Sequence, residues 1–324
     1  MNRECIFFQW RLRGETDYGC VIMSEAIKEK IVKLYTGPQV LRNRKWAGIH
    51  QNICRKWHGK AFFFYLLYLP ERLSRRKKYL FLFDEYHPSR FNLGFMKWIR
   101  NRFDIKTVLV LRNMLEDKTN PAVYENSLDD LKKAFDLVVT DEKKDAELFN
   151  LMFLPDPFSK IGKKNVKIKY DLYFIGADKG RSELLSQVAS MAKENQVSCN
   201  IIITDSEPKD PNLRYMNYQP YLNILHQDLE ANCLLEILQP GQESYTLRFQ
   251  EAVCLGKKLL TNNPNVIYEK YYNPQYIQVF ERVEDIDWEF VKTKTNVDYK
   301  YKGEYSPVTF LQKIEQELDK KSNT

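Results

Sequence analysis

The most restrictive feature of this chain is a repeated alternation. Short β-branched and aromatic runs are each followed by a longer stretch of helical periodicity. In the first half the runs are CIFFQW (5–10), YLFLFDEY (79–86), TVLVLRN (107–113), DLVVTDE (136–142) and LMFLPDP (151–157). Several are apolar throughout, as strands covered on both faces must be. The stretches SEAIKEKIVKLY, FMKWIRNRF and NSLDDLKKAF read as helices, and DEKKDAELFNL starts another directly after DLVVT. The basic, polar stretch LPDPFSKIGKKNVKIKY reads as a linker. The pattern then restarts with YDLYFIG (170–176), CNIIIT (199–204), CLLEIL (233–238), KLLTNN (258–263) and YIQVF (276–280). This predicts an α/β chain of two Rossmann-like doubly wound domains facing a central cleft. The expected boundaries are 1–158, a linker over 159–169, a second domain over 170–285, and an extension over 286–324 ending in the amphipathic helix VTFLQKIEQELDKK. A single mixed α/β domain with a long insertion is the competing reading.

Composition supports a folded chain: 44% of the 324 residues are apolar and 14% are aromatic, enough to bury a sizeable core. The six cysteines form no C-x-x-C pair, and Cys233 and Cys254 sit in apolar runs, so a reducing, cytoplasmic setting without structural metal is expected. The start, MNRECIFFQW, carries too short an apolar run for a signal peptide, and no stretch reaches the roughly 18 apolar residues a spanning helix needs. The formal charge of +7 is unevenly placed: residues 42–78 hold eleven Lys and Arg against the single acid Glu71. Such a field attracts phosphates, whether of nucleic acid, anionic lipid or a pyrophosphate-linked substrate.

In open α/β sheets ligands bind beyond the carboxyl ends of the strands, and three loops of the second half fall there. GADKGR (176–181) offers Gly176 and Gly180 for tight turns, and Lys179 and Arg181 as cations at a helix start, where free N–H groups hold phosphate. It is neither G-x-G-x-x-G nor a Walker loop, and it reads equally as a turn with solvated charges. LRYMNYQPYLNIL (213–225) presents Tyr215 and Tyr218, on which a flat base can stack or which simply pack in the core. CLLEILQPGQES leads through a Pro-Gly turn into a helix capped by Ser244 or Glu243. Thr246 and Arg248 lie in its first turns, where a diphosphate would sit. Glu251 follows, able to accept both ribose hydroxyls, and Gly256 ends the helix. The rival reading makes Glu251 a surface acid on an amphipathic helix.

The stretch ESYTLRFQEAVCLG, with Glu243, Glu251, Ala252 and Gly256, resembles the E-x7-E region of bacterial glycosyltransferases with the GT-B fold, of the lipopolysaccharide, capsule and exopolysaccharide assembly type. The resemblance covers about 170–280, and the first half only in architecture. It implies a nucleotide-diphosphate sugar, UDP- or GDP-linked, as substrate, with no cofactor and no metal. Glu251 would hold the ribose and Thr246 and Arg248 the phosphates, with Ser244, Tyr245 and Leu247 among the residues that bind the donor. Glu243 would lie near the sugar, and Lys179 and Arg181 would supply the basic pair. Where retaining members carry Gly-Phe-Gly after the first Glu, this chain has Ser-Tyr-Thr, which leaves retention or inversion open.

In that architecture the first half binds the acceptor, a glycan or lipid-linked glycan, and supplies any base. Asp84, Glu85 and His87 follow one strand and form the candidate base group; Arg112 and Asp141, after two others, are candidate acceptor contacts. Retaining chemistry would dispense with a base, and the same acids also read as strand-terminating polar residues and caps. The run KAFFFYLLYLPERLSRRKK suggests that residues 61–78 rest on an anionic membrane surface at the cytoplasmic face, against the alternative of a buried helix with a basic end. No nucleic-acid motif accompanies the charge. An epimerase of similar fold and a non-catalytic sugar- or nucleotide-binding protein are the functional rivals.

Overall fold

The computed structural model describes residues 3–9, 16–35, 73–85, 93–115, 127–162 and 166–323. The chain divides into two compact units. One comprises Met1–Glu15, Ile22–Ser159 and Ser306–Thr324, the other Thr16–Val21 and Lys160–Tyr305. Residues 306–324 therefore belong with the first unit.

The first unit is built on strands β1 (Glu4–Phe8), β2 (Val32–Tyr35), β3 (Lys78–Asp84), β4 (Asp104–Leu111), β5 (Leu137–Thr140) and β6 (Met152–Phe153). They form one sheet in the order β2-β1-β3-β4-β5-β6, parallel throughout. Helix α1 (Tyr18–Ile22) falls in the second unit except for Ile22, and helices α2 (Ser24–Lys28), α3 (Leu93–Arg100), α4 (Leu128–Ala134) and α5 (Lys143–Phe149) belong to the first. On one face Phe8 stacks on Phe83 at 4.5 Å, and Phe135 meets Phe83 edge-on at 5.7 Å. Such contacts add about 0.5–1.5 kcal/mol each beyond area burial. The stretch expected as one helix, SEAIKEKIVKLY, instead breaks. α2 stops at Lys28, Lys30 turns through the left-handed region (φ 59°), and Val32 pairs with Cys5 in β2. The β-branched Val32 gains a ladder partner there, which outweighs local helix propensity. The run 151–157 yields only two strand residues, because Pro155 and Pro157 cannot donate to a ladder.

The second unit holds β7 (Tyr170–Ala177), β8 (Cys199–Thr204), β9 (Arg214–Met216), β10 (Ala231–Glu236), β11 (Lys258–Thr261) and β12 (Ile277–Val279), and helices α6 (Ser182–Glu194), α7 (Tyr221–Leu229), α8 (Leu247–Leu255) and α9 (Trp288–Lys292). The parallel order is β12-β11-β10-β7-β8-β9. Counted from its own first strand this is the doubly wound order 3-2-1-4-5-6, whose direction reverses between β7 and β10. Alternate residues of β7 serve opposite cores: Leu172 and Phe174 meet Leu185 and Val188 of α6, while Tyr173 and Ile175 share a cluster with Phe249 and Ala252 of α8. Covering both faces explains why these strands are apolar without a break. β9, three residues long, lies inside the stretch expected to be a loop.

Helix α8 is capped by Thr246, not by Ser244 or Glu243. The Thr246 side chain accepts from Arg248 N at 3.1 Å. The helix ends at Gly256 in the left-handed conformation (φ 66°, ψ 54°). The last helix, α10 (Pro307–Asn323), buries Phe310, Leu311, Ile314 and Leu318. It also ties to the chain start through Arg3 Nη2 and Asp319 Oδ1 at 2.8 Å. Among the described residues no helix is long and apolar enough to cross a membrane.

A Cβ at Gly256 would be strained, so Gly256→Ala is expected to lower unfolding free energy by about 1–2 kcal/mol. Gly162→Ala, with open space around it and no left-handed φ, is the control. Equal urea midpoints for the two variants would contradict the strain account.

Candidate functional site

At the carboxyl ends of β7 and β10, the reversal point of the second sheet, lies a hollow of about 250 Å³. Its floor includes Ile175, Leu235 and Ile237, and its polar groups come from Arg181, Glu236, Thr246, Arg248 and Glu251, joined by Tyr221. Of the residues expected to bind a donor, this hollow gathers Arg181, Thr246, Leu247, Arg248 and Glu251.

The acid Glu251 is no surface residue: it is 1% exposed. Its Oε1 accepts from the Tyr221 hydroxyl at 2.8 Å, and its Oε2 lies 2.7 Å from Arg248 Nη1. The same Nη1 stands 2.5 Å from Oδ1 of Asp228, which is fully buried, while Arg248 Nη2 donates to the Ile175 carbonyl at 3.2 Å. One guanidinium thus serves two carboxylates. Burial pushes the Asp228 and Glu251 carboxyls up, with Arg248 opposing the rise in both. Arg248 itself is held firmly cationic, because the two acids outweigh its own burial cost.

The second cation, Arg181, is pinned by backbone oxygens. Its Nε donates to Asp178 O at 3.1 Å, its Nη1 to Ile237 O at 2.9 Å, and its Nη2 to Ala177 O. The guanidinium also lies over the Phe174 ring, 5.2 Å from the centroid. Burial, aided by repulsion from Arg248, brings its pKa down to about 10. Two guanidinium groups that repel one another in a hollow favour an anion between them. Gly176 serves this arrangement through space, not through the tight turn expected of it: a Cβ there would meet Arg181 Nη2 at 3.1 Å. Gly180 does carry the turn (φ 77°), together with Lys179 (φ 46°), which is exposed.

Beneath them Glu236, buried at the end of β10, accepts from Thr246 N and Oγ1 at 2.7 Å each and from Thr261 Oγ1 at 2.7 Å. This fixes the cap of α8 to the strand end. The start of α8 therefore borders the hollow with the positive end of its dipole, although the Thr246, Arg248 and Phe249 N–H groups are already taken by Glu236 and Thr246.

Other expected donor residues lie elsewhere. Tyr215 packs against the core, and its hydroxyl accepts from Asp210 N at 3.1 Å. Tyr218 donates its hydroxyl proton to Asp17. Tyr245 lies tilted against Phe249, with ring centroids 4.7 Å apart, and Ser244 is buried. Glu243 is exposed. The sequence reading missed Tyr221, Glu236 and Asp228. Each had a signal: Glu236 interrupts an apolar strand, and Tyr221 and Asp228 share the buried stripe of α7 with Leu225 and Leu229 at the i, i+4, i+7, i+8 spacing.

In the first unit the candidate acids cluster at the strand ends. Asp84 accepts from Gln9 Nε2 at 3.0 Å. Glu85 accepts from Arg112 N at 3.0 Å, from Asn113 N at 3.1 Å and from Asn113 Nδ2. Arg112 Nε donates to both oxygens of Asp156, at 2.9 and 3.0 Å. Burial, then the charges of Asp156 and Glu85, push the partly buried Asp141 well above the usual carboxylate range. His87 and residues 61–72 lie outside the described residues; Arg75 and Arg76 are exposed. Among the described residues no group of three or more His, Cys, Asp or Glu is placed to hold a metal.

No family model matches this chain, and no curated protein matches it. Solved structures do. An α-glucosyltransferase in complex with UDP-glucose and DNA containing an abasic site aligns at TM-score 0.55 and 10% identity over 98% of both chains. The α,α-trehalose 6-phosphate synthase of Burkholderia multivorans aligns at 0.53 and 9% identity over 100% of this chain and 97% of that one. A Listeria monocytogenes protein described as a UDP-N-acetylglucosamine 2-epimerase aligns at 0.50 and 10% identity, covering 96% and 95%. The fold shared with these proteins is α/β of the GT-B type.

Removing Arg248 leaves Asp228 and Glu251 buried without a counterion. Arg248→Met should cost roughly 3–5 kcal/mol. The carboxyls, already raised, rise further without the cation, so the folded form binds protons that the unfolded form has released. Stability is then lost as pH climbs, and urea melts should show a larger penalty at pH 8 than at pH 5.5. A pH-independent penalty would contradict the charge assignment.

Proposed function

We propose that this protein is a glycosyltransferase that moves a sugar from a nucleoside-diphosphate donor to an acceptor held by the first unit. The observation that carries the reading is the hollow at the β7/β10 reversal point, where the start of α8, Arg181 and Arg248 provide for an anion and Glu251 provides an acceptor for hydroxyls. Diphosphate binds at the helix start and the paired guanidinium groups. These stabilise the charge that develops as the anomeric carbon leaves the diphosphate oxygen. Glu251, kept anionic beside Arg248, accepts the vicinal hydroxyls of the pentose. The GT-B proteins of like fold include one solved with UDP-glucose, and the same donor class suits this hollow.

For the acceptor, the E-x7-E resemblance supports a bacterial surface glycan, lipopolysaccharide or capsule, assembled at the inner face of the cytoplasmic membrane. The segment 61–78, with its basic end from Arg75 to Lys78, is the contact proposed with anionic lipid. In the first unit Asp141 and Glu85 are the acids proposed to receive or hold the acceptor's proton, if the transfer inverts.

A thermal-shift panel of UDP, GDP, CMP, ADP and dTDP should raise the melting midpoint with one or two of them, and Glu251→Gln should weaken that nucleotide at least about tenfold, the scale of a lost charged hydrogen bond. No shift with any nucleotide would overturn the reading. Conversion of the donor to an isomeric nucleotide sugar with no acceptor present would instead identify an epimerase. Reversing charge at Arg75 and Arg76 should release the protein from anionic liposomes; retention at wild-type levels would remove the membrane contact.

A further inference from the structure

With every acid ionised, the charges behind the hollow do not balance. Asp228 and Glu251 are both buried, and a single nitrogen, Arg248 Nη1, is shared between them at 2.5 and 2.7 Å. Two ionised carboxylates on one guanidinium would leave a buried net negative charge, which a protein interior does not hold without compensation.

From α8 Asp228 faces Arg248 and Glu251. From β7 comes the Tyr173 hydroxyl, engaged with Gln227 Oε1 at 3.1 Å, and from its own helix the Tyr221 hydroxyl, engaged with Glu251. Lys257, just past α8, donates to the Leu229 and Ala231 carbonyls at 2.7 and 2.6 Å, is partly solvated, and acts on Asp228 less than Arg248 and Glu251 do. Glu251 has a hydroxyl donor on Oε1; its Oε2 is 2.7 Å from Arg248 Nη1 as an ion pair but accepts no hydrogen bond, because Nη1 donates to Asp228 Oδ1. Asp228 has the cation on Oδ1 alone; its Oδ2 is buried and has no hydrogen-bond partner among the described residues.

We propose that Asp228 carries a proton on Oδ2 at neutral pH and is a positioning residue for the donor site: as a neutral acceptor it steers Arg248 without claiming its charge, which leaves Glu251 as the ionised partner facing the hollow. Donor affinity is then linked to this proton. When Asp228 ionises, the triad turns net negative, Arg248 is drawn toward Asp228, and an anionic donor is disfavoured. Burial and the nearness of Glu251 both favour the neutral form of Asp228. This inference rests on the donor reading for its ligand, but the proton can be tested without one.

Asp228→Asn keeps the shape and the acceptor and cannot ionise. In the infrared difference between wild type and this variant at pH 7, which cancels other buried carboxyls, one protonated-carboxyl C=O band should appear for the wild type. Its absence would overturn the proposal. The unfolded Asp titrates near 4 and the folded one higher, so wild-type stability should fall relative to Asp228→Asn as pH rises between the two values. Parallel urea-stability curves would overturn it too. UDP or GDP, whichever shifts the wild type, should bind Asp228→Asn at pH 7 within about twofold of wild type, and above the folded pKa the affinity ratio should move in favour of the variant by up to about tenfold per pH unit. Taking the ratio cancels titration of the nucleotide. A flat ratio, or a loss at pH 7 as large as that of Asp228→Leu, would show that Asp228 acts as a charge or only as packing. A wild type that binds no nucleotide would overturn the donor reading, while the infrared and urea results would still decide the proton.

Discussion

The shared guanidinium of Arg248 is the constraint around which the second unit is arranged. It draws together α7, through Asp228, α8, through Glu251, and the end of β7, through the Ile175 carbonyl. A buried ionic cluster of this kind is weak evidence for stability, since desolvation offsets most of its attraction. Its value lies in position. With its partners fixed, the guanidinium holds one place, and the carboxylate of Glu251 holds another beside the start of a helix. Glu236 does the same for the backbone, clamping the cap of α8 to the end of β10.

The parallel order of the second sheet puts these groups together. Because the winding reverses between β7 and β10, the loops leaving those strands run to opposite faces and leave a gap at their carboxyl ends. Gly176 keeps the gap open for Arg181, and α8 closes one side of it. The first unit has its own reversal between β1 and β3, where Gln9 bonds Asp84. Its titratable groups gather at the neighbouring ends of β3, β4 and β5, with Arg112 as their cation.

Most of the strands were legible in the sequence, because apolar runs buried on both faces have few other uses. β2 and β9 were not. Each is short and an edge or near-edge partner, and each takes its strand form from a ladder that only the assembled sheet provides. Within the site, Thr246, Arg248 and Glu251 were legible because the spacing from strand to helix start to Gly256 is local. Their true partners were not, since pairing Arg248 with Asp228 joins residues on two helices, and single-chain patterning carries no such information. The tyrosines misled for a related reason. Tyr215 sits in β9 and Tyr245 just before α8, and both rings pack against the core and do not line the hollow.

The first unit closes with a helix encoded last. β1 begins at Glu4, yet Arg3 pairs with Asp319, and Phe310 to Leu318 fill the packing of a helix that belongs with residues made some three hundred positions earlier. During synthesis the early sheet must therefore wait, incompletely covered, while the whole later unit is translated. The order in which this molecule can finish folding is the reverse of the order in which it is made: the unit begun second is the first to have all its parts.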